Sequence, residues 1–131
     1  MSAPDPPVAA GAVPGALDVD ESLLDAVAYG PDGLVVGIVQ EIGTREVLMV
    51  AYLDREALRR TLASGRTWFY SRSRQQYWCK GETSGNRQLV RRVHLDCDGD
   101  ALLIEVTQEG AGACHTGAPT CFFLRIGAAA P

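Results

Sequence analysis

Two apolar runs on either side of Gly43-Thr44-Arg45 constrain the fold more than any other feature of the sequence. The runs, residues 34–42 and 46–53, are rich in β-branched residues, which favour strands. Two such runs joined by a short turn are typical of an antiparallel hairpin. The sequence therefore predicts a sheet that begins with this hairpin.

Further elements are predicted on both sides of the hairpin. One helix is expected over residues 20–28, before the Gly-Pro-Asp-Gly stop at 30–33, and a second runs from the N-cap Asp54 through Ser64 to Gly65. The other elements are strands, expected over residues 67–71, 89–98, 101–108 and 120–126. The sum is an α+β domain in which two or three helices pack on a mostly antiparallel sheet.

Length and composition predict one soluble domain. The chain has 131 residues, of which the Pro-, Ala- and Gly-rich residues 1–18 are expected to be a disordered leader and 19–131 a single folded domain. No signal peptide or membrane span is evident, so we expect a cytoplasmic protein that does not bind a membrane. Its four cysteines should then be reduced and free to bind metal. A net charge of −4 gives no reason to expect nucleic acid as a partner.

Three aspartates alternate with other residues at the end of predicted strand 89–98. Because side chains alternate along a strand, Asp96 and Asp98 are expected on one face and Cys97 on the other. Asp100 follows Gly99 and can join them around one hard cation, such as magnesium. The alternative is a solvated turn, since Asp is a common turn residue.

Three thiols provide a different kind of site. Cys114 and Cys121 flank a Gly-Ala-Pro turn, close enough to bind one soft ion, and Cys97 is a candidate third ligand. Three protein ligands would leave zinc with an open position for water, the pattern of catalytic sites. His115 could ligate the metal, but we prefer it as a general base or as a donor to a developing oxyanion, whereas His94 is interpreted as structural. The alternative is that these cysteines are simply buried apolar residues.

A polar segment, residues 71–86, mixes cations, hydroxyls and glycines. Such residues can surround a phosphate, although the order of residues is not that of a Walker loop. Aromatic side chains nearby could stack on a base or belong to the core. The alternative is an ordinary solvated loop. The candidate substrate-binding residues are Arg72, Arg74, Trp78, Lys80, Thr83 and Ser84.

These motifs together resemble the phosphoribosyl-AMP cyclohydrolase family, whose members open the adenine ring in histidine biosynthesis. The resemblance covers residues 34–124 and is carried by residues 47–53, 72–74, 78, 80–86, 95–100, 114–117 and 121–123. It implies a half-barrel-like mixed sheet and an obligate homodimer. It also implies zinc held by Cys97, Cys114 and Cys121, with Cys97 contributed across the interface. Asp96, Asp98 and Asp100 would bind magnesium, and Cys79 departs from the family pattern.

The chemistry implied by the resemblance suits the residues. In phosphoribosyl-AMP the second phosphoribosyl group on N1 makes the ring cationic and C6 electrophilic. Zinc lowers the pKa of bound water toward about 7, which supplies a nucleophile for C6 before the N1–C6 bond breaks. The expected partner is therefore a phosphorylated nucleotide substrate.

Two other functions stay open on the sequence alone. A zinc-dependent nucleobase deaminase would use similar chemistry, but its H-x-E and P-C-x-x-C signature is missing, and it would release ammonia. A structural-zinc RNA-binding module would close its metal with a fourth ligand and bind RNA in a salt-dependent manner.

Overall fold

The computed structural model describes residues 15–131, which contain two helices and six strands. The predicted leader lies almost wholly outside the described residues and stays a prediction. The elements, in chain order, are α1 (Glu21–Asp25), β1 (Val35–Glu41), β2 (Val47–Leu53), α2 (Arg55–Ser64), β3 (Trp68–Ser71), β4 (Gln76–Cys79), β5 (Gln88–Leu95) and β6 (Ala101–Gln108). No helix in this part of the chain is long and apolar enough to cross a membrane.

Four strands form an open mixed sheet in the order β2-β1-β6-β5, and β3 with β4 forms a separate hairpin. The β1–β2 and β5–β6 pairs are antiparallel, as predicted, whereas β1 and β6 pair in parallel. With β2 and β5 at its edges, the sheet does not close, as expected for a half-barrel. The α+β class is confirmed.

The core lies between the inner face of the sheet, α2 and β3. Side chains at alternate strand positions, such as Val35 and Val39 of β1, point into it, together with Leu58 of α2 and Phe69 of β3. Asp54 caps α2 by accepting a hydrogen bond from the N–H of Ala57 at 2.8 Å, and Gly65 ends the helix at φ +72°. This helix therefore has the limits that the sequence predicts.

Helix α1 is shorter than predicted. Its N-cap is Asp20, but it ends at Asp25 rather than near Ala28. The N–H of Ala28 instead donates a hydrogen bond to the carbonyl of Gly99 at 2.7 Å. This contact takes the chain out of the helical path and joins it to the turn between β5 and β6.

The strand predicted over residues 120–126 is wrong. Residues 122–126 are exposed and form no strand, although the N–H of Cys121 donates to the carbonyl of Leu48 in β2 at 2.8 Å. The hydroxyl of Thr120 donates a hydrogen bond to the carbonyl of Val47 at 2.7 Å, so the second contact with β2 comes from a side chain. The ladder therefore stops after one backbone hydrogen bond.

Candidate active site

The three aspartates lie in a turn and not on a strand face, so that part of the prediction is wrong. Strand β5 ends at Leu95, because Oδ1 of Asp96 accepts hydrogen bonds from the N–H groups of Asp100 and Ala101 at 2.9 and 3.2 Å. Gly99 has φ +77°, and a Cβ there would lie 2.8 Å from the carbonyl oxygen of Ala26. The turn is thus fixed in shape and held against the end of α1.

The turn nevertheless gathers the carboxylates. Oxygen atoms of Asp96, Asp98 and Asp100 lie within 4.8 Å of one another, and all three residues are exposed. A hydrogen bond to Asp96 and the charge of Asp96 raise the pKa of Asp100. Desolvation would raise the pKa of Asp96, but hydrogen bonds from Asp100 and Ala101 lower it overall. A hard divalent cation suits such a crowded set of oxygens.

Cys114 and Cys121 are neighbours in space. The loop that carries them folds back through two backbone hydrogen bonds, from Ala113 to Pro119 at 3.1 Å and from Cys114 to Ala118 at 3.2 Å. Each of the two thiols affects the pKa of the other, which places their side chains close together. Both sulfurs can therefore face one ion, as their spacing predicts.

The environment of the two thiols shifts their pKa values in opposite directions. The Thr116 hydroxyl, which donates to Sγ of Cys114 at 3.0 Å, and the Thr116 backbone N–H lower the pKa of Cys114. Burial, followed by the interaction with Cys114, raises the pKa of Cys121. A soft cation that binds both sulfurs would displace their thiol protons, so the donor set fits zinc. Thr116 was missed by sequence reasoning, although its position two residues after Cys114 is a usable signal.

Cys97 does not join the other two thiols within one protomer. It is exposed on the aspartate turn, and among residues 15–131 only the three aspartates form a group of three or more potential metal ligands. A zinc site with all three sulfurs is therefore not assembled in the described protomer, and its assembly from two protomers stays a prediction.

The polar segment forms the β3–β4 hairpin and the loop that follows it. Strand β4 was not predicted from the sequence, because the polar residues on both sides of it resemble a loop. Arg72 lies in the hairpin turn with its guanidinium 4.4 Å from the ring centre of Tyr52, and the backbone N–H of Arg74 donates to the Ser71 hydroxyl at 3.3 Å. Trp78 packs on Phe69, with 4.9 Å between ring centres, and so lies partly in the core. The two arginines remain exposed at the tip.

Lys80 connects this segment with the thiols. Its positive charge adds a small lowering to the pKa of Cys114 and partly opposes the rise in the pKa of Cys121, so its side chain lies near both. Thr83 and Ser84 are exposed in the next turn, and the Ser84 hydroxyl accepts from the N–H of Asn86 at 3.2 Å. The structure thus brings part of the predicted phosphate-binding set to the thiol loop.

Asn86 holds the polar segment and the thiol loop together. Its Oδ1 accepts a hydrogen bond from the N–H of Ala111 at 3.0 Å, and Gln108 donates to its carbonyl at 3.1 Å. The residue was part of the sequence motif but was not assigned a role there. Its amide side chain therefore joins the end of the polar segment to the residues just before Cys114.

Known proteins match this arrangement in sequence. The family model described as phosphoribosyl-AMP cyclohydrolase matches residues 49–123, more than half of the chain. The chain belongs to the phosphoribosyl-AMP cyclohydrolase family. It is 55% identical over 122 residues to the phosphoribosyl-AMP cyclohydrolase of Clavibacter michiganensis, covering 93% of this chain and 84% of that protein. It is 64% identical over 105 residues to that of Bifidobacterium longum, covering 80% and 79%.

The segment that matches the cyclohydrolase family contains every predicted site residue. His115 lies within it, exposed in the loop between Cys114 and Thr116. His94 instead contacts buried Glu105 of β6 through its Nε2, which agrees with a structural role. Cys79 is buried in β4, and burial raises the pKa of its thiol, which makes it a poorer metal ligand than Cys114.

Proposed function

We propose that this chain is a zinc-dependent homodimer that hydrolyses the N1–C6 bond of 1-(5-phosphoribosyl)-AMP in histidine biosynthesis, in the cytoplasm. The observation that carries the proposal is the pair of neighbouring thiols, Cys114 and Cys121, inside the segment that matches the family. Family membership supports the reaction, since the matched relatives are phosphoribosyl-AMP cyclohydrolases. All four cysteines are free thiols, which fits a reducing compartment.

The zinc ligands would be Cys114 and Cys121 of one protomer and Cys97 of the partner subunit. When bound, zinc supplies a Lewis acid that lowers the pKa of water toward about 7 and so provides a nucleophile at neutral pH. Cys114 is prepared for this role because Thr116 favours its thiolate. Lys80 adds positive charge beside both sulfurs and limits their proton affinity.

His115 is the proposed proton carrier. Its exposed position next to Cys114 allows it to accept a proton from the attacking water or to donate one to the oxygen that forms on C6. Water adds to C6, the N1–C6 bond breaks, and the exocyclic amino group stays on C6 as part of a carboxamide. The reaction therefore releases no ammonia.

The phosphorylated substrate requires cations and a surface for its base. We assign phosphate binding to the cations and hydroxyls of the polar segment and stacking on the base to Trp78. Magnesium on the aspartate turn would anchor or orient the substrate, because the exposed carboxylates of the turn repel one another without a cation. The phosphate-binding residues are Arg72, Arg74, Lys80, Thr83 and Ser84; the magnesium ligands are Asp96, Asp98 and Asp100.

The test is turnover of phosphoribosyl-AMP by the purified protein, followed through the adenine chromophore with and without a zinc chelator. We expect turnover that the chelator abolishes, without ammonia release. Replacing Cys97, Cys114 or Cys121 by Ser should remove both zinc and turnover, whereas the control Cys79→Ser should keep both. Full turnover by the metal-depleted variants would contradict zinc dependence, and ammonia release would favour a deaminase.

A further inference from the structure

Exposed apolar side chains concentrate just after one of the thiols. In residues 122–126, which we call the tail segment, Phe122, Phe123, Leu124 and Ile126 are all exposed, Leu124 at 83%. The hydrogen bond between Cys121 and Leu48 fixes the start of the tail segment at β2, but nothing in the described part of the same protomer buries these four side chains. Such a group of large apolar side chains is a common sign of a binding surface.

An apolar groove of about 790 Å³ lies beside the turn that carries Cys97. It is open between α1 and the end of the β5–β6 pair, and it is lined by Leu17, Leu23, Leu24, Val27, Leu95 and Leu102. Leu95 and Leu102 flank the aspartate turn in sequence, and Gly99 in that turn is hydrogen-bonded to the segment after α1. The groove and Cys97 are therefore held together as one unit.

We propose that the tail segment of each protomer inserts into this groove of its partner. The inference rests on the proposed function, since a shared zinc would place Cys121 within about 4 Å of Cys97 of the partner subunit, given Zn–S bonds of about 2.3 Å. An extended tail segment spans up to about 17 Å, and the groove begins two residues from Cys97, so the segment reaches it. Two apolar surfaces, each uncovered in one protomer, would then cover each other.

Charge agrees with this arrangement. Arg125 lies in the middle of the tail segment, and Asp18 and Asp20 line the α1 side of the groove. The opposite side carries Arg91, which donates to the Thr107 hydroxyl, and Arg92 and His94, which pair with Glu105. An arginine that enters along the α1 side therefore meets carboxylates. In a two-fold symmetric dimer the same contact forms twice.

The test uses two single substitutions at exposed positions, so that folding is preserved. Leu124→Asp places a charge in the tail segment, and Leu23→Asp places one in the groove, where Leu23 is 54% exposed. The control Ala129→Asp adds the same charge beyond the tail segment. Sedimentation equilibrium should show the dimer Kd raised at least about 100-fold in each test variant and unchanged in the control, with unchanged far-UV circular dichroism.

Mixing the two test variants distinguishes a tail segment that inserts into the groove of its partner from one that packs on its own protomer. A mixed dimer contains one intact tail segment facing one intact groove, so dimers should reappear in the mixture. Wild-type Kd values in both variants, a monomeric unmodified protein, or no dimer in the mixture would each overturn the inference. Zinc content and turnover of the unmodified protein are measured separately. A failure of the zinc proposal can then be distinguished from a failure of the tail–groove contact.

Discussion

The hydrogen bond from Thr116 to Cys114 should set how tightly the protein holds zinc. Thr116→Val removes the hydroxyl, which lies 3.0 Å from Sγ, and keeps the volume of the side chain. A hydrogen bond to a charged acceptor contributes about 1.5–3 kcal/mol, and because Thr116 is exposed we expect a contribution around the lower limit of this range, about 1–2 kcal/mol. Since about 1.4 kcal/mol is a factor of ten, zinc should bind roughly 5- to 30-fold more weakly.

The assay is competition for zinc with a colorimetric chelator, performed on the unmodified protein, Thr116→Val and Thr116→Ser. Serine keeps the hydroxyl, so its zinc affinity should stay within about twofold of the unmodified protein, because the donor is retained. If the valine variant bound zinc as tightly as the serine variant, the hydroxyl would not stabilise the thiolate and the reasoning would be refuted.

Three further substitutions test the fold around the site. The Tyr77 hydroxyl donates to Oδ2 of Asp54 at 2.6 Å, which raises the pKa of Tyr77 from 10.0 to about 12. Because folding raises this pKa, the hydrogen bond contributes its full stability below pH 10 and loses it as the pH rises past about 12. Tyr77→Phe should therefore lower the free energy of unfolding in urea by about 1 kcal/mol at neutral pH and leave it unchanged at the alkaline limit. Gly81→Ala places a Cβ 2.4 Å from the backbone N of Arg87 at φ +81°, so its Tm should fall further than that of the control Gly85→Ala, which has open space at φ +80°. Phe69→Ala empties a fully buried position and should cost about 3–5 kcal/mol in urea unfolding; a cost under about 1 kcal/mol would contradict the assigned core.

Local sequence signals were sufficient to predict the elements whose limits are set by neighbouring residues. The β1–β2 hairpin follows from two β-branched runs around a turn in which Arg45 takes φ +67°. Helix α2 follows from its cap residues Asp54 and Gly65. The parallel pairing of β1 with β6 joins segments about sixty residues apart, and no local pattern specifies which distant strands become neighbours.

The errors also have physical causes. At Asp96 the side chain competes with the backbone for the N–H groups of Asp100 and Ala101, so the strand ends two or three residues early. Over residues 122–126 the apolar pattern is real, but in the described part of the protomer no neighbouring strand or groove buries these side chains. A hydrophobic pattern indicates that a surface is buried in the functional protein, but it does not indicate which molecule buries that surface.

For the site, the sequence correctly brought Cys114 near Cys121 and grouped the aspartates, because short loops limit how far such residues can separate. The contribution of Thr116 and Asn86 depends on side-chain hydrogen bonds that form only in the folded loop. In the proposed site Cys97 comes from the partner subunit, and spacing within one chain cannot define where a second protomer lies.

Zinc content of mixed dimers tests the central claim most directly. Chains with Cys97→Ser and chains with Cys121→Ser are each expected to bind no zinc at the thiol site, and the two are unfolded, mixed and refolded together. If the site is shared between protomers, each mixed dimer has one complete set of three sulfurs and should recover one zinc together with turnover. If the mixture recovers neither, or if Cys97→Ser alone keeps zinc and turnover, the shared site is contradicted.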